Sequence, residues 1–187
     1  MPRRGALAGT QASEFGHFRA ARGRYGSCCT SCMTLKQRAT NVLITGGLTT
    51  VATTTAALVV SKLETGHPAA GLNATSHILW GDEAAKIDDF EPKYTLVGGL
   101  LNAGAMLAWS VMHELLPPRA GAMSALGKGL LTSGAAYLTD YRVVPGRLTP
   151  GFEKRFSPRG MRWMYGVLGA AFALAGAITA RHRRATA

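Results

Sequence analysis

The side chains able to do chemistry in this chain are few and scattered. His77, Asp82 and Glu83 lie close together, and a histidine beside two carboxylates could hold a metal or relay a proton on an outer face. His113 and Glu114 form a second acid–base pair. Asn102, Lys128 and Asp140 are polar groups set among apolar neighbours. Inside a membrane such groups either bond across to another helix or line a path. Arg142, Arg147, Lys154, Arg155 and Arg159 alternate with Val, Leu and Phe. That pattern suits head-group phosphates, with Phe152 and Phe156 inserted shallowly. Cys29 and Cys32 have CxxC spacing beside Cys28, and His17 is the only other ligand nearby. A tetrahedral metal site needs four ligands, and a redox pair needs a packed helix start, so the cysteines carry little weight.

The elements around these residues are long and uncharged. Residues 39–61, 94–113 and 163–180 contain no charge, and residues 120–139 contain only Lys128. Each run is near the roughly 20 residues that cross a hydrocarbon core. Charged residues make up 17% of the chain, against roughly a quarter in soluble domains, so there is too little polar surface to wrap such helices in water. The expected fold is all-α: a polytopic membrane protein forming a compact bundle of four transmembrane helices. The spans are placed at about residues 41–60, 94–116, 120–141 and 161–180, within a domain of 33–180, followed by a basic tail of 181–187. Mean hydropathy is only +0.09, because charged loops and tails dilute the spans.

Small residues recur on single faces. Gly46, Thr50, Thr53 and Ala57 share one face of the first helix; Gly98, Asn102, Ala105, Trp109 and His113 share one of the second. Ala125, Gly129 and Ser133, then Gly169, Ala173 and Ala177, form similar ridges. Such ridges favour close helix packing in lipid. Pro117-Pro118 is expected to stop the second helix. Residues 69–81 are apolar but too short to span; they can lie at the interface or dip in and return, with Trp80 as anchor. Asn73-Ala-Thr75 matches a glycosylation sequon.

The net charge is +11 and unevenly placed. Residues 1–38 carry seven Lys or Arg against one Glu; residues 62–93 carry three Lys against six acids; residues 140–162 carry six basic residues against two acids. Anionic lipids are the expected partner, and a homo-oligomer or larger membrane complex a further one. No nucleic-acid motif accompanies the charge, so no nucleic-acid partner is expected. The positive-inside rule places both termini in the cytoplasm and the acidic 62–93 segment outside. With four spans it also places the basic 140–162 connector outside, which the same rule disfavours. A poorly spanning third segment would move the connector inside but export the C-terminal tail; a deeper 69–81 segment is the other way out of that conflict.

Two stretches, Asn73-Ala-Thr-Ser-His-Ile-Leu-Trp-Gly-Asp-Glu-Ala and Asp140-Tyr-Arg-Val-Val-Pro-Gly-Arg-Leu-Thr-Pro-Gly-Phe-Glu, resemble a family of uncharacterised small proteobacterial inner-membrane proteins. The resemblance covers about residues 33–180. It implies location in the cell inner membrane and carries over no activity or site residue.

Three function classes follow: a structural or accessory membrane protein, a small transporter or channel using Asn102 and Lys128, and a membrane enzyme or metal or haem carrier. The chain has no P-loop, dinucleotide fingerprint, HExxH or GxSxG element, so familiar ATP-driven and hydrolase chemistry has no support, and no cofactor is expected. Helix rise puts His77 and His113 roughly 25 Å apart, at opposite ends of the second span, which argues against one shared site. Residues 1–32 read as a disordered tail or an over-extended start, because Met33 opens a short basic stub leading into the first apolar run. Mass spectrometry of the native N-terminal peptide is expected to find Met33; Met1 or Pro2 as the major terminus overturns that.

Overall fold

A computed structural model describes residues 34–116 and 125–185. The cysteines, the rest of the 1–32 segment and Pro117-Pro118 lie outside the described residues. The helices in chain order are α1 (Leu35–Thr65), α2 (Ala70–Thr75), α3 (His77–Trp80), α4 (Pro92–Leu115), α5 (Ala125–Leu138) and α6 (Pro158–Ala185).

Among the described residues three helices, α1, α4 and α6, are long and apolar enough to cross a membrane. The expectation of a four-span bundle is therefore corrected at 120–141. There α5 covers 14 residues, about 21 Å of helix against a hydrocarbon core of about 30 Å. Lys128 lies inside this helix and Asp140 just past its end, so between the two charges only residues 129–139 are uncharged. Past Leu138 the α-helix gives way to a wider π-turn, Thr139–Val143. Residues 117–124, including the start predicted for that span, lie outside the described residues.

The distribution of side chains is inverted relative to a soluble protein. Leu63 and Leu100 are 78% and 72% exposed, while Asn41, Thr45, Thr49, Asn73, His77 and His113 are buried. Water as solvent would penalise both features; lipid favours the first and compels the second to hydrogen-bond internally. The chain is an all-α, multi-pass membrane protein.

The buried stripe of α1 runs Asn41, Thr45, Thr49, Thr53, Ala57 and Val60, one residue per turn. Threonine is a poor helix former in water, but here its hydroxyls fold back onto the helix: Thr49 donates to the Thr45 carbonyl and Thr53 to the Thr49 carbonyl, both at 2.8 Å. The stripe of α4 is Thr95, Gly98, Asn102, Met106, Ser110 and His113. Ala105, predicted on that face, is exposed and Trp109 half-buried. The two helices run antiparallel, with Asn41 opposite Glu114, Gly46 opposite Leu107 and Thr53 opposite Asn102. α5 packs along α6, where Gly129 lies against the backbone at Gly169 and Ala173. α6 begins beside the end of α1, where Glu64 accepts bonds from the Ser157 amide and hydroxyl, both at 2.7 Å. It reaches His113 at Phe172 and Gly176. The start of α1 and the end of α6 consequently share one end of the bundle.

The opposite end, here the mouth, is closed by α2 and α3. Residues 69–77 are buried in protein, not spread along the interface. The many small residues allow it: a Cβ on Gly98 would overlap the Leu72 carbonyl, and one on Gly71 would strike the Ser61 hydroxyl and the Phe156 ring. Asn73 ties the plug down. Its amide donates to the Ile87 and Asp89 carbonyls at 2.9 Å each, and its oxygen accepts from Thr95 at 2.6 Å. With both ends spent and no exposure, this asparagine is closed to glycosylation. Phe152 and Phe156, expected to insert among head groups, are instead stacked at 5.4 Å inside the core under the mouth.

Gly98→Ala pushes a methyl group into backbone that cannot yield, so it should lower the melting temperature in detergent by an amount equivalent to about 1–3 kcal/mol. Gly99→Ala one position on, where a Cβ meets open space, should be close to neutral.

Candidate functional site

The sequence-predicted polar residues fall into separate stations. At the end shared by the termini, Glu114 faces α1, accepting from Asn41 at 3.4 Å and Thr45 at 3.5 Å. His113 is fully buried, with Nδ1 2.9 Å from the Thr132 hydroxyl and its ring stacked 4.9 Å from Phe172. Lys128 is half-buried on α5 one turn before Thr132, and its carbonyl accepts the Thr132 hydroxyl. Asn102 is 11 residues before His113 on α4, about 16 Å away along the axis. Its amide donates to Thr53 and Thr54 at 3.1 Å each. Asn102 and Lys128 thus occupy different stations.

The predicted outer cluster does not converge. His77 is buried, with Nδ1 2.9 Å from the Ala74 carbonyl and Nε2 3.3 Å from that of Gly146. Asp82 is exposed and pairs with Lys154 at 2.7 Å, and Glu83 pairs with Lys86 at 2.6 Å. The Lys154 ammonium holds the Asp82 carboxyl below the usual carboxylate range. Among the described residues no group of three or more His, Cys, Asp or Glu could hold a metal ion.

The basic connector is drawn onto the acidic segment. Lys154 pairs with Asp82; Arg155 pairs with Asp88 and donates to the Ala85 carbonyl at 3.2 Å. Arg142, Arg147 and Arg159 stay exposed. The acidic segment and the basic connector therefore meet at the mouth. Gly151, with φ of +79°, sits where a Cβ would strike the Ala74 carbonyl and the His77 ring.

Between them lies a partly open pocket of about 130 Å³, which reaches from the connector down to Asn102. Its wall is mostly apolar, formed by residues such as Ile78, Leu101, Met106, Phe152 and Leu168. The polar exceptions are Thr53, Thr75, Asn102, Asp140 and Tyr165. The π-turn positions Asp140, and the Tyr165 hydroxyl donates to its Oδ2 at 2.7 Å. Tyr165 also meets the rings of Tyr137 and Tyr141 edge-on. Burial pushes the Asp140 carboxyl above its ordinary value; the Tyr165 bond opposes this and the charge of Glu153 adds to it. Burial and the Glu153 charge also push the Tyr141 phenol up. Glu153 is held by the Thr149 hydroxyl at 2.6 Å.

Sequence reasoning named Asp140 and Asn102 but not the pocket they share. It named none of Tyr165, Thr75 and Glu153 as a site residue. The one available signal was that Tyr165 is the lone tyrosine of the fourth apolar run. Comparison with protein-family models, with curated proteins and with solved structures finds no match.

Because the Asp140 carboxyl is raised, the folded state holds that proton more tightly than the unfolded chain does. Stability from this group is full below its ordinary value of 3.8 and declines as pH rises toward the folded value. Asp140→Asn keeps an oxygen to accept the Tyr165 hydroxyl and removes the charge. Its melting temperature in detergent should exceed the wild type's near neutral pH, and the two should converge as pH falls toward about 4. A variant less stable at neutral pH would contradict this.

Proposed function

We propose that the protein is a structural or accessory component of the cell inner membrane and not a catalyst or a conduit. The observation that carries this reading is that the deep polar side chains bind one another across helices. The Asn102 amide nitrogen is engaged by Thr53 and Thr54, Asn73 by Thr95 and the Ile87 and Asp89 carbonyls, and Glu114 accepts from Asn41 and Thr45. A conduit keeps such groups facing a continuous path; here they fasten α1 to α4 and the plug to the mouth. Lys36, Arg38 and Arg181, at the end shared by the start of α1 and the end of α6, support a cytoplasmic position for that end. Neutralisation of Lys154 and Arg155 by Asp82 and Asp88 lowers the cost of a basic connector on the opposite side. The exposed Arg142, Arg147 and Arg159 support contact with anionic lipid phosphates, and the resemblance noted above supports the inner membrane.

In proteoliposomes, proton and alkali-cation fluxes should match those of protein-free vesicles, and native gels of membranes in mild detergent should show a homo-oligomer or larger complex. Flux above background that Lys128→Ala abolishes would establish a transporter instead.

A further inference from the structure

The polar atoms of the mouth pocket share a property that does not depend on the accessory reading: their hydrogens are already used. Thr53 donates to the Thr49 carbonyl at 2.8 Å, and Thr75 to the Gly71 carbonyl at 3.2 Å. Tyr165 donates to Asp140 at 2.7 Å. Asn102 gives its amide hydrogens to Thr53 and Thr54 at 3.1 Å each. The Thr53 hydrogen points to its own helix, so Thr53 can only accept from Asn102; this fixes the amide nitrogen toward α1 and leaves the carbonyl oxygen for the pocket. Asn102 is 6% exposed, and that oxygen has no partner among the described residues. Asp140 likewise keeps Oδ1 free, with Oδ2 taken by Tyr165. What remains at the wall is acceptors: a carboxylate, an amide oxygen and two threonine oxygens.

Charge points the same way. Glu153 stands near Asp140, while the neighbouring cations Lys154 and Arg155 are engaged by Asp82 and Asp88. The mouth pocket therefore has a net negative wall within an apolar chamber.

We propose that this pocket binds a small organic ammonium: an N–H-bearing cation that donates to Asp140 and Asn102 and seats a compact apolar body against the remaining wall. A neutral acceptor-bearing ligand finds no donors there. A strongly hydrated metal ion finds too few oxygens to replace its shell. Size agrees, since a chamber of about 130 Å³ is close to the roughly 150 Å³ apolar cavity that holds a benzene ring. An ammonium also relieves the cost of the buried carboxylate by pairing with it.

The test is calorimetric titration of benzylamine into the purified full chain in detergent, with benzyl alcohol as the uncharged isostere. Benzylamine should bind saturably. Benzyl alcohol should bind at least about tenfold more weakly, and Asp140→Asn should weaken benzylamine by a similar factor, since each removes a charge-assisted bond. Thr75→Val, which keeps side-chain shape and loses one acceptor, should weaken benzylamine several-fold and guards against misfolding of the first variant. Absence of saturation, equal binding of the alcohol, or undiminished binding to a folded Asp140→Asn protein each overturns the proposal. In nanodiscs, displacement of benzylamine by phosphatidylethanolamine but not phosphatidylcholine assigns the ammonium to a lipid head group. Displacement by neither assigns it to a free amine, and equal displacement by phosphatidylcholine, which has no N–H, overturns the donor requirement.

Discussion

Hydrogen bonding between small polar side chains in a medium without water governs this structure. Lipid supplies no hydrophobic force to press helices together, and it leaves any lone polar group unsolvated. The chain answers both conditions with one device. Thr49 and Thr53 on α1 return their hydrogens to their own helix, Thr45 donates across to Glu114, and the Asn102 amide donates to the Thr53 and Thr54 oxygens. A leucine stripe at those positions would have been equally content facing lipid and would not have specified α4 as a neighbour.

The mouth obeys the same rule with backbone in place of side chains. A short segment entering a membrane protein must satisfy its carbonyls and amides; α2 does so largely within its own turns, and the Gly71 amide at its start donates to the Ser61 hydroxyl of α1 at 2.9 Å. Glycine at 71 and 98 permits the approach, and Asn73 secures it with three bonds to three different residues. The acidic segment and the basic connector then close over the plug. Their pairing through Asp82–Lys154 and Asp88–Arg155 lets two segments of opposite charge occupy one side of the membrane, a combination that loop charges considered one at a time disfavour.

The pocket arises where regular structure yields. The α5 helix ends in a π-turn at Thr139–Val143, and π geometry commonly accompanies functional positions. Here it puts an acid against Tyr165, at the side of a chamber whose floor is the Asn102 amide. The acid is costly where it stands, and among the pocket-lining side chains only Tyr165 donates to it.

Much of the fold was legible because composition and spacing report the solvent directly. Uncharged runs about 20 residues long identified α1, α4 and α6, and the small and polar residues Gly98, Asn102 and His113 marked the buried stripe of α4, though Ala105, read onto the same face, is exposed. The third run misled: its count of apolar residues sufficed, but among the described residues the helix there covers only 14 positions, with Lys128 inside it. The site was half legible. Asn102 and Asp140 stood out as polar groups in apolar runs, yet they are 38 positions apart and nothing in their spacing shows that they share a wall. By itself, then, the sequence determined which segments must leave water, since that depends on side-chain type alone. Which polar atoms find partners, and which are left as bare acceptors, depends on distances between helices, and only tertiary packing sets those.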